Sequence, residues 1–130
     1  MSFSHASAFE GFLAEDQVGV VTTLRPDGTP HVVPVRFTWD EAEKLVRVLT
    51  VAGSRKARNV AAAPGGRAVL CQVSGFQWVT FDGTATVSDD PWRIALAARR
   101  YALRYGSPPP SPPDRVVIEI AVDRVRSLNV

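Results

Sequence analysis

The sequence predicts a mainly β fold with short helices, in which six antiparallel strands form a small Greek-key or split barrel. Three observations lead there. Runs of β-branched and apolar residues recur six times along 130 residues. The first three runs are joined by turns too short for the crossovers that parallel strands need, which disfavours a doubly wound sheet. Helical patterns are few and short and lie between the runs. The length suits a single domain over residues 1–130.

Each element has a local reason. From Ser4 to about Glu15, Phe9, Phe12 and Leu13 recur at helical spacing, with Ser4 or Ser7 as cap. "QVGVVTTL" is β-branched and reads as a strand. "RPDGTP" places Pro26, Asp27 and Gly28 in turn order, and "HVVPVRFTWD" returns as the second strand of a hairpin. Pro34 lacks an N–H, so it needs an edge, a bulge or a ligand-facing position. After the turn "DEAE", "KLVRVLTV" is a third strand. "RKARNVAAA" is a short helix stopped by "APGG". "RAVLCQV" and "QWVTFDGTATV" are strands four and five, joined at "SGF", the fifth bent at Gly83. "DDPWRIALAARRYALRY" is a helix with Asp90 as cap and Pro91 in its first turn; Ile94, Ala98, Tyr101 and Tyr105 give it an apolar stripe. "GSPPPSPPD" is a stiff extended connector, and "RVVIEIAVDRV" is the last strand.

Composition narrows the function. Fifteen Lys and Arg against 13 Asp and Glu give a net charge of +2, too small to argue for nucleic acid. The single Cys71 excludes an intrachain disulfide, suits a reducing compartment and is expected in the core. "MSFSHASAFEGFLAED" lacks the basic start of a signal peptide, and no apolar run reaches the ~20 residues that span a bilayer. The expectation is a cytoplasmic protein. Two His and one Cys far apart disfavour zinc. No phosphate-binding glycine motif and no nucleophile elbow is present. An enzyme built on this chain needs an organic cofactor to carry the reaction.

"GSRKARN", residues 53–59, is where such a cofactor fits. If Ser54 caps the helix, Arg55 and Lys56 fall in its first turn, at the positive end of the macrodipole, where cations are unfavourable. An anion there satisfies the cations, the dipole and the open N–H groups together, and phosphate is the natural candidate. The alternative is a solvated cationic face. Asn59 either donates to the same ligand or faces water. Gln77 can read a heterocycle edge and Trp78 can wall a flat ring, although the segment alone favours plain core for Trp78 and an exposed place for Gln77. Val33, Val35 and Phe37 share one face of their strand and Pro34 and Arg36 the other, so Arg36 can reach a ligand carbonyl or carboxylate.

The segments "GVVTTLRPDGTPHVVPVRFTWD", "RVLTVAGSRKARNV", "AVLCQVSGFQWVTFDGTATV" and "PPDRVVIEI" resemble the pyridoxamine-phosphate-oxidase-like split-barrel family, in particular its branch that uses the deazaflavin coenzyme F-420. The resemblance implies a six-stranded antiparallel split β-barrel of the FMN-binding type and a homodimer with the cofactor at the subunit interface. It implies that the cofactor phosphate sits on Ser54, Arg55, Lys56 and Asn59, that the ring lies around Pro34, Val35, Arg36, Phe37 and Thr50, and that Gln77 and Trp78 of the other subunit close the pocket. It implies an oxidoreductase passing hydride from reduced coenzyme F-420 to an organic acceptor, biliverdin giving bilirubin being one such reaction, with no catalytic side chain required. Arg36, Arg99, Arg100 and Arg104 are then available to acceptor carboxylates. An FMN-binding oxidase or flavin reductase of the same fold is the main alternative, and a non-catalytic deazaflavin or tetrapyrrole binder the second.

Overall fold

Every ladder is antiparallel, as the short turns require. The computed structural model describes residues 11–13 and 16–130. Its strands are β1 (Gly19–Leu24), β2 (Pro30–Val35), β3 (Thr38–Asp40), β4 (Leu45–Val51), β5 (Arg67–Ser74), β6 (Gln77–Ser88) and β7 (Arg115–Leu128). Its helices are α1 (Arg55–Ala62) and α2 (Pro91–Tyr105). The helix expected from Ser4 to Glu15 lies largely outside the described residues; Gly11, Phe12 and Leu13 are helical, the last two buried.

The sheet has seven strands rather than six, in the order β2-β1-β5-β6-β7-β4-β3. The extra strand arises because the expected second strand breaks at Arg36 and Phe37. β2 pairs with β1 at one end of the sheet, and β3 pairs with β4 at the other. Three Cα steps separate Val35 from Thr38, at most about 11 Å. The sheet must therefore curl until its two ends nearly meet, without a ladder closing them. This is the split of the barrel. Phe37 plugs it at 1% exposure, and the Tyr105 hydroxyl pins it, accepting from Phe37 N–H at 3.1 Å and donating to the Gln17 carbonyl at 3.0 Å.

The curled sheet encloses the core, which includes Val21, Phe37, Leu70, Phe81, Ile118 and Ile120. Each such side chain contributes about 1.5–3 kcal/mol by leaving water. Trp39 stacks on Phe81 with ring centroids 4.4 Å apart. Cys71, expected in the core, is only half-buried, because it alternates with Leu70 and Gln72 on β5. Gly83 marks the expected bend. The β6–β7 register slips between Asp82 and Gly83, leaving Asp123 without a partner. A Cβ at Gly83 would lie 2.1 Å from the Ala121 carbonyl oxygen, so only glycine lets the two backbones meet there.

Helix α2 starts as expected, with Asp90 accepting from Trp92 N–H and Pro91 next to it. Its docking differs from the predicted apolar stripe. Ala97 is its buried residue, while Tyr101 and Tyr105 are half-exposed. Charge seats it instead. Arg100 reaches Asp40 at 3.3 Å and Arg93 reaches Glu119 at 2.8 Å. Beneath them Asp40 holds the buried Arg47 at 2.8 Å. Val117 and Glu119 face α2 while Ile118 and Ile120 face the core, which buries this part of β7 on both sides.

Candidate functional site

β3 pairs with β4 only over Leu45–Arg47, so Leu49, Thr50 and Val51 have no neighbour on that side. Among the described residues the far edge of β2 is likewise unpaired. The wedge between them is a cleft of about 330 Å³, in the size range of small-molecule sites. Pro34, Val35 and Arg36 line it from β2 and the bend that follows, Leu49 to Val51 from β4, and Lys56 from α1. Pro34 sits on an edge strand, the place its missing N–H demands. Tyr101 of α2 and Pro109, Pro110, Pro112 and Arg115 complete the wall. Among the described residues no Asp or Glu lines it.

Ser54 is the cap of α1. Its backbone is extended, and its Oγ accepts from Ala57 N–H at 3.2 Å and from the Thr50 hydroxyl at 3.0 Å. The first turn contains no acidic residue. The N–H groups of Arg55 and Lys56 have no partner inside the helix. Among the described residues, Arg55, Lys56 and Arg58 have no carboxylate within 4 Å. Burial pushes the Lys56 ammonium below its ordinary value of 10.5. His31 stands in the same field: burial first, then Arg25, Lys56 and Arg55, lower its pKa below 6.5, and its Nδ1 is buried without a partner. A cation half removed from water, beside open N–H groups and with no counter-ion, is a receptor for an anion.

The structure brings Pro34, Val35, Arg36, Thr50 and Lys56 to one cleft, with Ser54 bonded to Thr50 and Arg55 beside Lys56 in the first turn. Phe37 does not line it, because at 1% exposure it is packed into the core. Asn59 is turned inward at 2% exposure, donating to Thr23 Oγ1 at 3.0 Å, its own Oδ1 without a partner among the described residues. Gln77 and Trp78 stand at the β5–β6 turn, outside this chain's own cleft, and Gln77 donates to the Asn129 carbonyl.

Of the four arginines set aside for carboxylates, Arg36 faces the cleft. Arg100 is engaged by Asp40, and Arg104 is spent on the Leu13 and Gln17 carbonyls and Gln72 Oε1. Arg99 does not line the cleft. Sequence reasoning missed Tyr101, read as part of an apolar stripe, the proline wall, read as a connector, and Arg115, read as the first residue of the last strand. The run of prolines before a strand start was the available signal.

The protein family described as "Pyridoxamine 5'-phosphate oxidase" matches residues 6–129. A biliverdin reductase of Mycobacterium tuberculosis, described as dependent on reduced coenzyme F-420, is 46% identical over 114 residues, covering 88% of this chain and 81% of the relative. Among solved structures, one described as a coenzyme F-420 reductase superposes with a TM-score of 0.71 at 26% identity, covering 90% of this chain and 94% of the other. A conserved hypothetical protein of Mycobacterium tuberculosis superposes with a TM-score of 0.77 at 23% identity, covering 93% and 82%.

Proposed function

The chain belongs to the pyridoxamine 5'-phosphate oxidase family, and from that premise we propose that it is a coenzyme F-420-dependent oxidoreductase that reduces an organic acceptor, biliverdin in particular. The observation that carries the reading is Lys56: a partly buried ammonium at a capped helix start that opens on the cleft, with no carboxylate partner and no acid in the cleft lining among the described residues. The 46% identity to a biliverdin reductase supports the choice of cofactor and acceptor.

The residues present fit the coenzyme. Lys56, Arg55 and the first-turn N–H groups would hold its phosphate, with the Ser54 hydroxyl held beside them by its bonds to Thr50 and Ala57. Pro34, Val35 and Leu49 offer an apolar wall to a flat ring. When bound, the deazaflavin supplies a hydride, a two-electron donor. The protein orients and encloses. The proline wall shields one side, and the Tyr105 clamp fixes the bend that presents Arg36 to the cleft.

We further propose that two copies pair across the outer ends of β5, β6 and β7. Phe76 at the turn tip is 89% exposed, and Val73 and Leu128, both opposite Trp78 in register, are exposed beside it. An apolar ridge of this kind is a protein contact in the making. Pairing there would carry Gln77 and Trp78 to the partner's cleft.

Incubating the protein with reduced coenzyme F-420 and biliverdin should regenerate the oxidised coenzyme's absorbance and yield bilirubin, with no stimulation by FMN. Turnover with FMN and no binding of coenzyme F-420 would overturn the reading. The pH dependence is a second check. A bound phosphate stabilises the ammonium and raises its pKa. Affinity should therefore hold while Lys56 of the free protein is protonated and fall as pH rises through its lowered value, starting short of 10.5. Lys56→Arg, which stays charged, should lack that alkaline loss relative to the wild type in parallel titrations.

A further inference from the structure

Two arginines of the cleft, Arg36 and Arg115, are fixed by neutral oxygen atoms. Arg36 donates to the Tyr101 hydroxyl at 2.8 Å and lies 4.8 Å from the centroid of the Tyr105 ring. Arg115 donates to the Pro110 carbonyl at 2.8 Å, within the segment that forms the wall. Arg47, Arg67, Arg93 and Arg100 each meet a carboxylate. Among the described residues Arg36 and Arg115 meet none, and no acid lines their cleft. Other arginines also lack a carboxylate among the described residues, Arg25, Arg99, Arg104 and Arg124 among them, and Arg25 too is held by a carbonyl, that of Pro30, but none of these lines this cleft. A neutral acceptor sets the direction of a guanidinium without cancelling its charge. The planar fork keeps further N–H groups for a second acceptor. Two such forks, reaching one cleft from the β2–β3 bend and from the start of β7, match a carboxylate better than a point cation would.

We propose that Arg36 and Arg115 form a carboxylate receptor distinct from the anion site at α1. The proposal rests on the reading of this cleft as the redox site. The carboxylate can belong to the acceptor or to an acidic tail of the coenzyme, and the test separates the two.

Coenzyme-free protein is titrated with biliverdin, with its dimethyl ester and, separately, with coenzyme F-420, following tryptophan fluorescence. Arg115→Gln and Arg36→Gln keep a donor for Pro110 and Tyr101, so the wall and the bend stay anchored; unchanged melting temperatures check this. Each should weaken biliverdin binding about ten-fold, the loss of one charged hydrogen bond, and leave the ester unchanged. Arg115→Lys should recover part of the loss. A loss confined to the coenzyme keeps the receptor and assigns the carboxylate to the tail. Equal losses for acid and ester, or no loss with any of the three ligands, overturn the proposal. Lys56→Ala separates the two failures. Weakened coenzyme binding there, with silent arginine variants, refutes the receptor alone; unchanged binding there refutes the site on which it rests.

Discussion

Lys56→Ala should weaken coenzyme F-420 binding by about 1–3 kcal/mol, the range for losing a charged hydrogen bond, while the protein melts no lower than the wild type. The two halves of that expectation have separate causes. Lys56 makes no hydrogen bond to the described protein, so its removal leaves no group unsatisfied. It also takes a cation away from the positive end of α1, which favours the free fold slightly. The loss therefore shows only when an anion is present. Fluorescence titration read beside thermal denaturation checks both halves. An unchanged dissociation constant would remove the anion site from the start of α1.

Asp40→Ala should cost about 3–5 kcal/mol of stability, the toll of leaving a buried charge alone. Asp40 and Arg47 are each 4% exposed and 2.8 Å apart. Without Asp40, Arg47 keeps among the described residues only Glu119, 3.9 Å from its Nε and beyond hydrogen-bond reach. Arg100 and the Glu43 N–H lose an acceptor as well. Burial opposes the Asp40 charge, yet the Arg47 hydrogen bond, the Glu43 N–H and Arg100 outweigh it and hold the carboxyl below its ordinary 3.8. A depressed carboxyl contributes stability above its unfolded value and loses it as pH falls through the folded one. Urea denaturation of the wild type should therefore show an acid loss setting in below 3.8 that Asp40→Asn reduces. An Asp40→Ala variant as stable as the wild type would show that α2 is seated by its apolar residues after all.

The strands were legible because each rests on local chemistry: β-branched runs, the Asp27–Gly28 turn, the two-residue turn Gly75–Phe76, the Asp90 cap. The start of α1 was legible for the same reason, since Ser54, Arg55 and Lys56 are neighbours whose conflict with the helix dipole is visible in seven residues. What stayed hidden depends on distant partners. The break at Arg36–Phe37 is imposed by β4 taking Thr38–Asp40 away from β1, and no residue within the strand announces it. Arg104 and Gln72 look like a surface cation and a strand polar residue, yet they bond each other across the fold at 3.0 Å. Tyr101 and Tyr105 fit a helical stripe by spacing, and only the position of the bend turns them into hydroxyl clamps. Arg115 could not be placed at a ligand because the proline segment that carries it there has no periodicity to read.

The barrel's unclosed seam has a mechanical consequence. The jaws on either side of the cleft are fastened at one end, through Arg36 and Phe37, and no backbone ladder crosses the gap between them. Spreading them to admit a thicker ring breaks no interstrand bond; the resistance comes from repacking around Phe37 and the Tyr105 hydroxyl. In this architecture the gauge of the slot is set by a few side chains at its root, so a descendant of this chain can be refitted to a new guest by altering the hinge pin while its seven strands stay as they are.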